Sequence, residues 1–410
     1  MLSPEQNDLL TLVEGDAPMG QMMRRNYWIP CLRAGLLEAG GDPIRVRLFG
    51  ENFVAFREAK GAVGFLDEHC PHRRASLTLA RNEGDGLRCI FHGWKMTAEG
   101  KVVEMPNEHK EPEKLCARVP VRHFPVCEAG GMLWVWLGAG EAPKFPDLPY
   151  MQVPASHCFV ASTKIPVNFV QGLEATLDSS HIGFLHRDWF GELGDAYKGA
   201  SENLAPRFEF QPTKYGYRGA ALRPLADGAT LVRLNEFVMP FHASMPTGQP
   251  NKAAYQILVP IDNETTWWVF VGWSYDEPYD GENSILAKPG SDIDNWAPPL
   301  GNAENRWGQD RQAMRDGRSY AGFKGQGGLF TEDTAIEMSM GPRTDRSKEF
   351  LCSGDMAIVR MRWTLLQAVE DFMAGKPPLG TDPSIAYSSL YAVSEVIPSQ
   401  TSWKERFAAA

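Results

Sequence analysis

CPHRRASL at 70–77 and CIFHGW at 89–94 decide how one end of this chain folds. Together they read Cys-x-His, sixteen residues, then Cys-x-x-His. Each pair puts one sulfur and one imidazole on a single tight loop, and the gap lets the two loops face each other. Pro71 stiffens the first loop, and Gly93 permits a turn that other residues resist. A mixed set of this kind suits a 2Fe–2S cluster. The thiolates of Cys70 and Cys89 would hold one iron and the imidazoles of His72 and His92 the other, which raises the reduction potential above that of an all-cysteine cluster. Structural zinc is the competing reading. Zinc fingers, however, usually pair Cys with Cys and His with His, whereas each loop here carries one of each. Cys31, Cys116, Cys127, Cys158 and Cys352 have no such company and read as small buried hydrophobes. His69 adjoins the motif but does not fit its spacing.

Around these loops the texture is that of short strands and frequent turns. IRVRLFGENFVAF from 44 and AVGFLD from 62 read as strands, and MLWVWLG at 132–138 is short enough for a buried one. Upstream, residues 1–42 read as a helical lead-in and an extended arm, NYWIPCL. Downstream, GAGEAPKFPDLPYMQVPAS is rich in Pro and Gly and marks a boundary. The expected division is therefore 1–42, a cluster domain over 43–145, and a second domain over 146–410. In the latter, RFEFQPTKYGYRGAAL and ATLVRLNEFVM read as strands joined through Asp227-Gly228. AAYQILVPI and TTWWVFVGWSY are further strands. Ile358, Met361, Leu365, Val369 and Phe372 recur at helical spacing, and Gly375, Pro377 and Pro378 end a helix over 356–374. The stretches 284–304 and 322–328 read as long loops.

A second constellation lies in NFVQGLEATLDSSHIGFLH, 168–186. On one helix Gln171, Glu174, Asp178 and His181 would form a polar stripe, costly to bury unless partners or a metal satisfy it. His186 falls five residues after His181, off that face, and Gly183 between them lets the helix loosen so that both imidazoles converge. Two His with one carboxylate and open positions make up the facial triad of non-haem Fe(II) oxygenases.

The 410 residues leave room for two or three domains. A net charge of −10 with no basic block argues against nucleic acid or an anionic membrane as partner. No apolar run reaches membrane-spanning length. The start, MLSPEQNDLL, does not read as a signal peptide. Seven cysteines in so long a chain fit a reducing cytoplasm better than a disulfide scaffold. No GxGxxG opens a helix after a strand, so electrons must come from elsewhere.

CPHR…CxxHGW resembles the Rieske motif of ring-hydroxylating oxygenases. GDAPMGQMMRRNYWIP at 15–30 and N-x-x-Q-x-x-E-x-x-x-D-S-S-H-x-x-x-x-H at 168–186 are similar to the phthalate dioxygenase branch of that family. The resemblance spans nearly the full length. It implies an α+β chain: an all-β Rieske domain, and a catalytic domain whose curved antiparallel sheet is packed by helices. It also implies a homotrimer or dimer of trimers. His181 and His186 are expected to bind a mononuclear Fe(II). The third ligand is expected to be Asp333, in a segment similar to the family's QDxAxxE stretch, with Glu332 and Glu337 as rivals. By the resemblance, Asp178 bridges His181 to His92 of a neighbouring subunit and carries electrons between the metals. A separate flavin and iron–sulfur reductase would supply those electrons from NADH.

The branch acts mostly on aromatic carboxylates, for which Arg is the matching side chain. Arg207, in APRFEF, matches a position that the resemblance associates with carboxylate binding, and Ser179 and Ser180, beside the iron residues, are further candidates to touch the substrate. Where a second carboxylate-binding Arg is expected for ortho-phthalate, the chain reads PFHASMP at 240–246. This favours isophthalate or a mono-acid. The expected reaction is cis-dihydroxylation with O2. O-demethylation of a methoxybenzoate is the nearest alternative. A bare electron carrier or a zinc protein fits poorly, since about 270 residues with a second His pair follow the cluster region.

Overall fold

The computed structural model describes the chain apart from residues 194, 248, 250, 282–284, 288–289 and 409–410, and apart from the side chains of 193 and 195–198. It divides into two compact units, Met23–Phe145 and Met1–Met22 with Pro146–Ala410. The segment read as 1–42 is thus shared between them. Its helix Pro4–Thr11 packs on the larger unit, while strand Ile29–Arg33 lies in the smaller.

The smaller unit is built from three antiparallel sheets. Met132–Val135 lies between Ile29–Arg33 and Val126–Ala129; Glu51–Arg57 lies between Ile44–Leu48 and Val63–Asp67. Four very short strands, Arg81–Asn82, Leu87–Arg88, Lys95–Met96 and Val102–Glu104, complete the set. Phe56, Leu66, Leu87 and Met96 fill a core on which Cys70 and Cys89 are also buried. The loops that carry the two cysteines are therefore anchored from beneath.

The larger unit is organised on an eight-stranded antiparallel sheet. Its order runs Cys158–Ile165, Thr266–Ser274, Lys252–Pro260, His242–Met245, Ala229–Val238, Gly216–Pro224, Arg207–Pro212, with Val393–Pro398 added alongside Ala229–Val238. Asp227-Gly228 makes the expected hairpin turn, with Gly228 at φ +83°. The stretch RFEFQPTKYGYRGAAL, read as one strand, is two, broken at residues 213–215. Three helices matter for the site. Phe169–Leu177 packs on strands Lys252–Pro260 and His242–Met245, and Leu329–Ser339 and Met356–Met373 pack against it in turn. The last spans nearly the expected residues and ends before Gly375, at φ +75°, the left-handed position that favours glycine. Residues 284, 288 and 289 of the loop expected over 284–304 lie outside the described residues. The rest of that stretch holds no strand, and a short helical turn begins at Ala303. Among the described residues no helix is long and apolar enough to cross a membrane.

Candidate metal centres and pocket

The two cysteine loops share one backbone pattern. Cys70 N–H donates to Ala75 O at 2.8 Å and Arg74 N–H to Cys70 O at 3.0 Å; Cys89 N–H donates to Trp94 O at 2.9 Å and Gly93 N–H to Cys89 O at 2.9 Å. The fourth residue after each cysteine takes positive φ, 62° at Arg74 and 76° at Gly93. A Cβ at Gly93 would also meet Pro106 at 3.0 Å, so glycine serves there for two reasons. The His72 and His92 rings lie 4.5 Å apart, and His72 stacks on Trp94 at 4.6 Å. Burial, with Cys89 alongside, pushes the Cys70 thiol up to about 11. His92 Nδ1 is buried with no hydrogen-bond partner among the described residues. A buried nitrogen without a partner is costly unless a metal takes its lone pair, and two thiols with two imidazoles are a donor set that fits a two-iron cluster.

The second centre is not built on a single helix. Helix Phe169–Leu177 stops at Asp178, whose ψ of 117° is extended, and His181 opens a separate short turn, His181–Gly183. Asp178 causes the break locally: Oδ1 accepts from Ser180 N–H at 2.6 Å and Oδ2 from His181 N–H at 3.3 Å. Side-chain bonds of this kind compete with helix continuation. The expected polar stripe is divided accordingly. Gln171 Nε2 donates to Glu337 O and Gly341 O. Glu174 accepts from Arg346 Nε and Nη2 at 2.8 Å each and from Arg362 Nε at 2.7 Å. Burial pushes the Glu174 carboxyl up, but the two guanidiniums outweigh it and hold it below the usual range. This seam is satisfied by arginines and pins the helix that leads to the histidines.

His181 Nε2 and His186 Nε2 face each other at 3.2 Å, and Asp333 Oδ1 lies 3.6 Å from the first and 3.2 Å from the second. Each opposite ring nitrogen is held by a carboxylate: His181 Nδ1 by Asp178 Oδ2 at 3.3 Å, His186 Nδ1 by Glu332 Oε2 at 2.8 Å. A proton on each Nδ1 leaves two Nε2 lone pairs and a carboxylate oxygen aimed at one point. These three atoms lie within 4.8 Å of one another. Lone pairs so placed repel unless a cation sits between them, and carboxylates behind ligating histidines are the usual support. Burial pulls His186 down, but Asp333 and Glu332 outweigh it and raise it to about 9. The residues fit one metal ion with open positions. Glu332 stands behind His186, and Glu337 is not part of the group.

These atoms open into a pocket with about 770 Å³ of atom-free space, its mouth included. Apolar walls come from Ile165, Leu258, Trp268, Leu286, Leu329 and Phe330. Asp178 and Ser179 reach its lining, though Ser179 Oγ already accepts from Arg223 Nη1 at 3.1 Å. Arg207 does not reach it. Its side chain is 73% exposed and paired with Glu209 at 2.7 Å, because it opens the last strand of the sheet. The arginine on the pocket wall, alone of its kind among the described lining residues, is Arg233, 3% exposed in the middle of Ala229–Val238. The sequence reading passed over it. The available signal was a charge at the centre of an apolar strand, alternating inward with Asn235. Arg223 is its diagonal neighbour on the paired strand. Burial and the charge of Arg233, against Asp178, pull Arg223 down to about 10.

The profile of the Rieske [2Fe-2S] domain matches residues 27–125, and that described as LigXa C-terminal domain like matches 135–410. The phthalate 4,5-dioxygenase oxygenase subunit of Pseudomonas putida is 39% identical over 99% of this chain and 94% of its own length. The 3-chlorobenzoate-3,4-dioxygenase oxygenase subunit of Comamonas testosteroni is 35% identical over 99% and 98%. The 5,5'-dehydrodivanillate O-demethylase oxygenase subunit of a Sphingobium strain is 30% identical over 94% and 85%. Among solved structures, caffeine-bound NdmA of Pseudomonas putida CBB5 superposes with a TM-score of 0.60 at 19% identity, covering 94% of this chain and all of that one, a likeness of fold.

Proposed function

The chain belongs to the Rieske non-haem iron oxygenases as a terminal oxygenase subunit, and we propose that it cis-dihydroxylates an aromatic carboxylate such as isophthalate or a substituted benzoate. As a member it is an oxidoreductase with a 2Fe–2S cluster and a mononuclear iron, supplied with electrons by a separate partner. In this reading Cys70, His72, Cys89 and His92 hold the cluster, and His181, His186 and Asp333 hold the single iron. When bound, these groups supply single electrons and activate dioxygen.

The chain's own residues do the rest. Glu332 and Asp178 fix the tautomer and aim of the two imidazoles. Arg233 anchors the substrate carboxylate, for which its fork is suited, and the apolar walls hold the ring and exclude water. The observation that carries the substrate class is this buried arginine on the wall of the pocket that holds the two histidines. We also infer a trimer or dimer of trimers in which Asp178 links His181 to His92 of a second copy, a reading supported by the family resemblance and by the Asp178 bond to His181. An NADH-linked flavin and iron–sulfur reductase is the electron source this reading requires. O-demethylation is the second reading, supported by the demethylase relative.

The test is substrate depletion with a reductase and NADH over phthalate isomers, substituted benzoates and their methyl esters. Free acids should be consumed and the corresponding fully esterified compounds left. Equal consumption of acids and esters would remove the carboxylate from the account.

A further inference from the structure

Glu337 lines the same pocket and is 6% exposed. It lies one helical turn after Asp333 on Leu329–Ser339, so the two side chains leave the helix on one face. Its Oε2 is buried with no hydrogen-bond partner among the described residues. A Cβ placed on Gly172 would sit 3.9 Å from that oxygen, which locates the carboxyl over the first half of helix Phe169–Leu177. Burial foremost, then the carboxylates of Asp333 and Glu174, pushes its pKa well above the usual range. The shift favours the neutral carboxyl, which has one O–H to donate. Leaving such a group unpaired in an apolar wall is costly, and a ligand oxygen would relieve it.

Its position fixes which ligand oxygen. Arg233 belongs to the other end of the pocket, by Asp178 and Ser179, through its diagonal neighbour Arg223. Gly172 and Asp178 are six residues apart along the helix, or roughly 9 Å at 1.5 Å per residue. A ring held by one carboxylate at Arg233 presents to Glu337 only a substituent from its far side. Ortho groups point back toward the anchor.

We infer that Glu337 is a specificity-determining hydrogen-bond donor for a second oxygen substituent, carboxylate or hydroxyl, placed meta or para to the anchored carboxylate. The inference rests on Arg233 as the anchor and deepens the substrate assignment. It makes the preferred substrate a meta- or para-substituted aromatic acid and places ortho-phthalate at a disadvantage.

Equilibrium binding of isophthalate and of benzoate to the holoenzyme tests it. Glu337→Leu should weaken isophthalate about 10- to 100-fold, the effect of losing a hydrogen bond to a charged group. It should not weaken benzoate comparably. Glu337→Gln, which keeps a donor, should recover most of the loss. Arg233→Met should weaken both acids. If Arg233→Met spares benzoate, the anchor is wrong. If Glu337→Leu weakens both acids alike or neither, the role of Glu337 is wrong whatever Arg233 does. Infrared difference spectra of the unmodified protein avoid any folding defect of the variants. Isophthalate should shift a protonated-carboxyl band that is missing in Glu337→Gln, and an unshifted band overturns the inference.

Discussion

Replacing Glu332 tests how the protein holds its single iron. The carboxylate is fully buried and accepts from His186 Nδ1 at 2.8 Å, so the neutral ring is held with Nε2 free to bind. A hydrogen bond to a charged group contributes about 1.5–3 kcal/mol and one between neutral groups about 0.5–1.5. Glu332→Gln keeps an acceptor and loses the charge, so about 1–1.5 kcal/mol should go, or roughly tenfold in iron affinity. Glu332→Leu also strands a buried N–H, and the loss should approach about 100-fold, the upper end for groups that support metal ligands. Asp178→Asn should cost less, since the bond to His181 is 3.3 Å long and the Asp178 side chain is 17% exposed. Competition of the protein with a graded series of chelators measures all three, with the cluster absorption as an internal check on folding. Iron affinity in Glu332→Leu equal to that of the unmodified protein would refute the reasoning.

Arg207→Ala should leave substrate affinity within about twofold, as expected for an exposed ion pair; a tenfold loss, read from substrate titrations, would return Arg207 to the site. Glu174→Gln leaves Arg346 and Arg362 buried with reduced compensation, and should cost the larger unit about 3–5 kcal/mol in denaturant unfolding. A loss below about 1 kcal/mol would mean that the arginines find other partners. Asp178→Asn should fill both metal sites yet slow single-turnover electron transfer from a pre-reduced cluster by orders of magnitude; an unchanged rate would remove the bridge.

What was legible in the sequence follows from how local each feature is. Cys70, His72, Cys89 and His92 sit on two short loops with one backbone pattern, so spacing alone exposed them. The helix Met356–Met373 came from periodicity and end signals that need no partner, whereas the α+β architecture came from the family resemblance. The polar face of 168–181 was visible, but its satisfaction was not. Glu174 meets arginines 172 and 188 residues away, and Asp178 breaks the helix by bonding the next turn's N–H groups. Arg207 and Arg233 both read as strand arginines. Which one faces inward depends on position in the sheet, edge against middle, and that is set by pairings far apart in the chain. Glu337 was visible as a rival ligand; its unpaired oxygen over Gly172 is a property of packing alone.

The most direct test of the central claim is turnover of isophthalate under isotopically labelled dioxygen, with mass spectrometry of the product. A cis-dihydrodiol that carries both labelled oxygens is the expected result. Failure to transform the acid at all, or a product that carries fewer than two labelled oxygens, would contradict the account; formaldehyde released from a methoxybenzoate as the preferred substrate would put demethylation in its place.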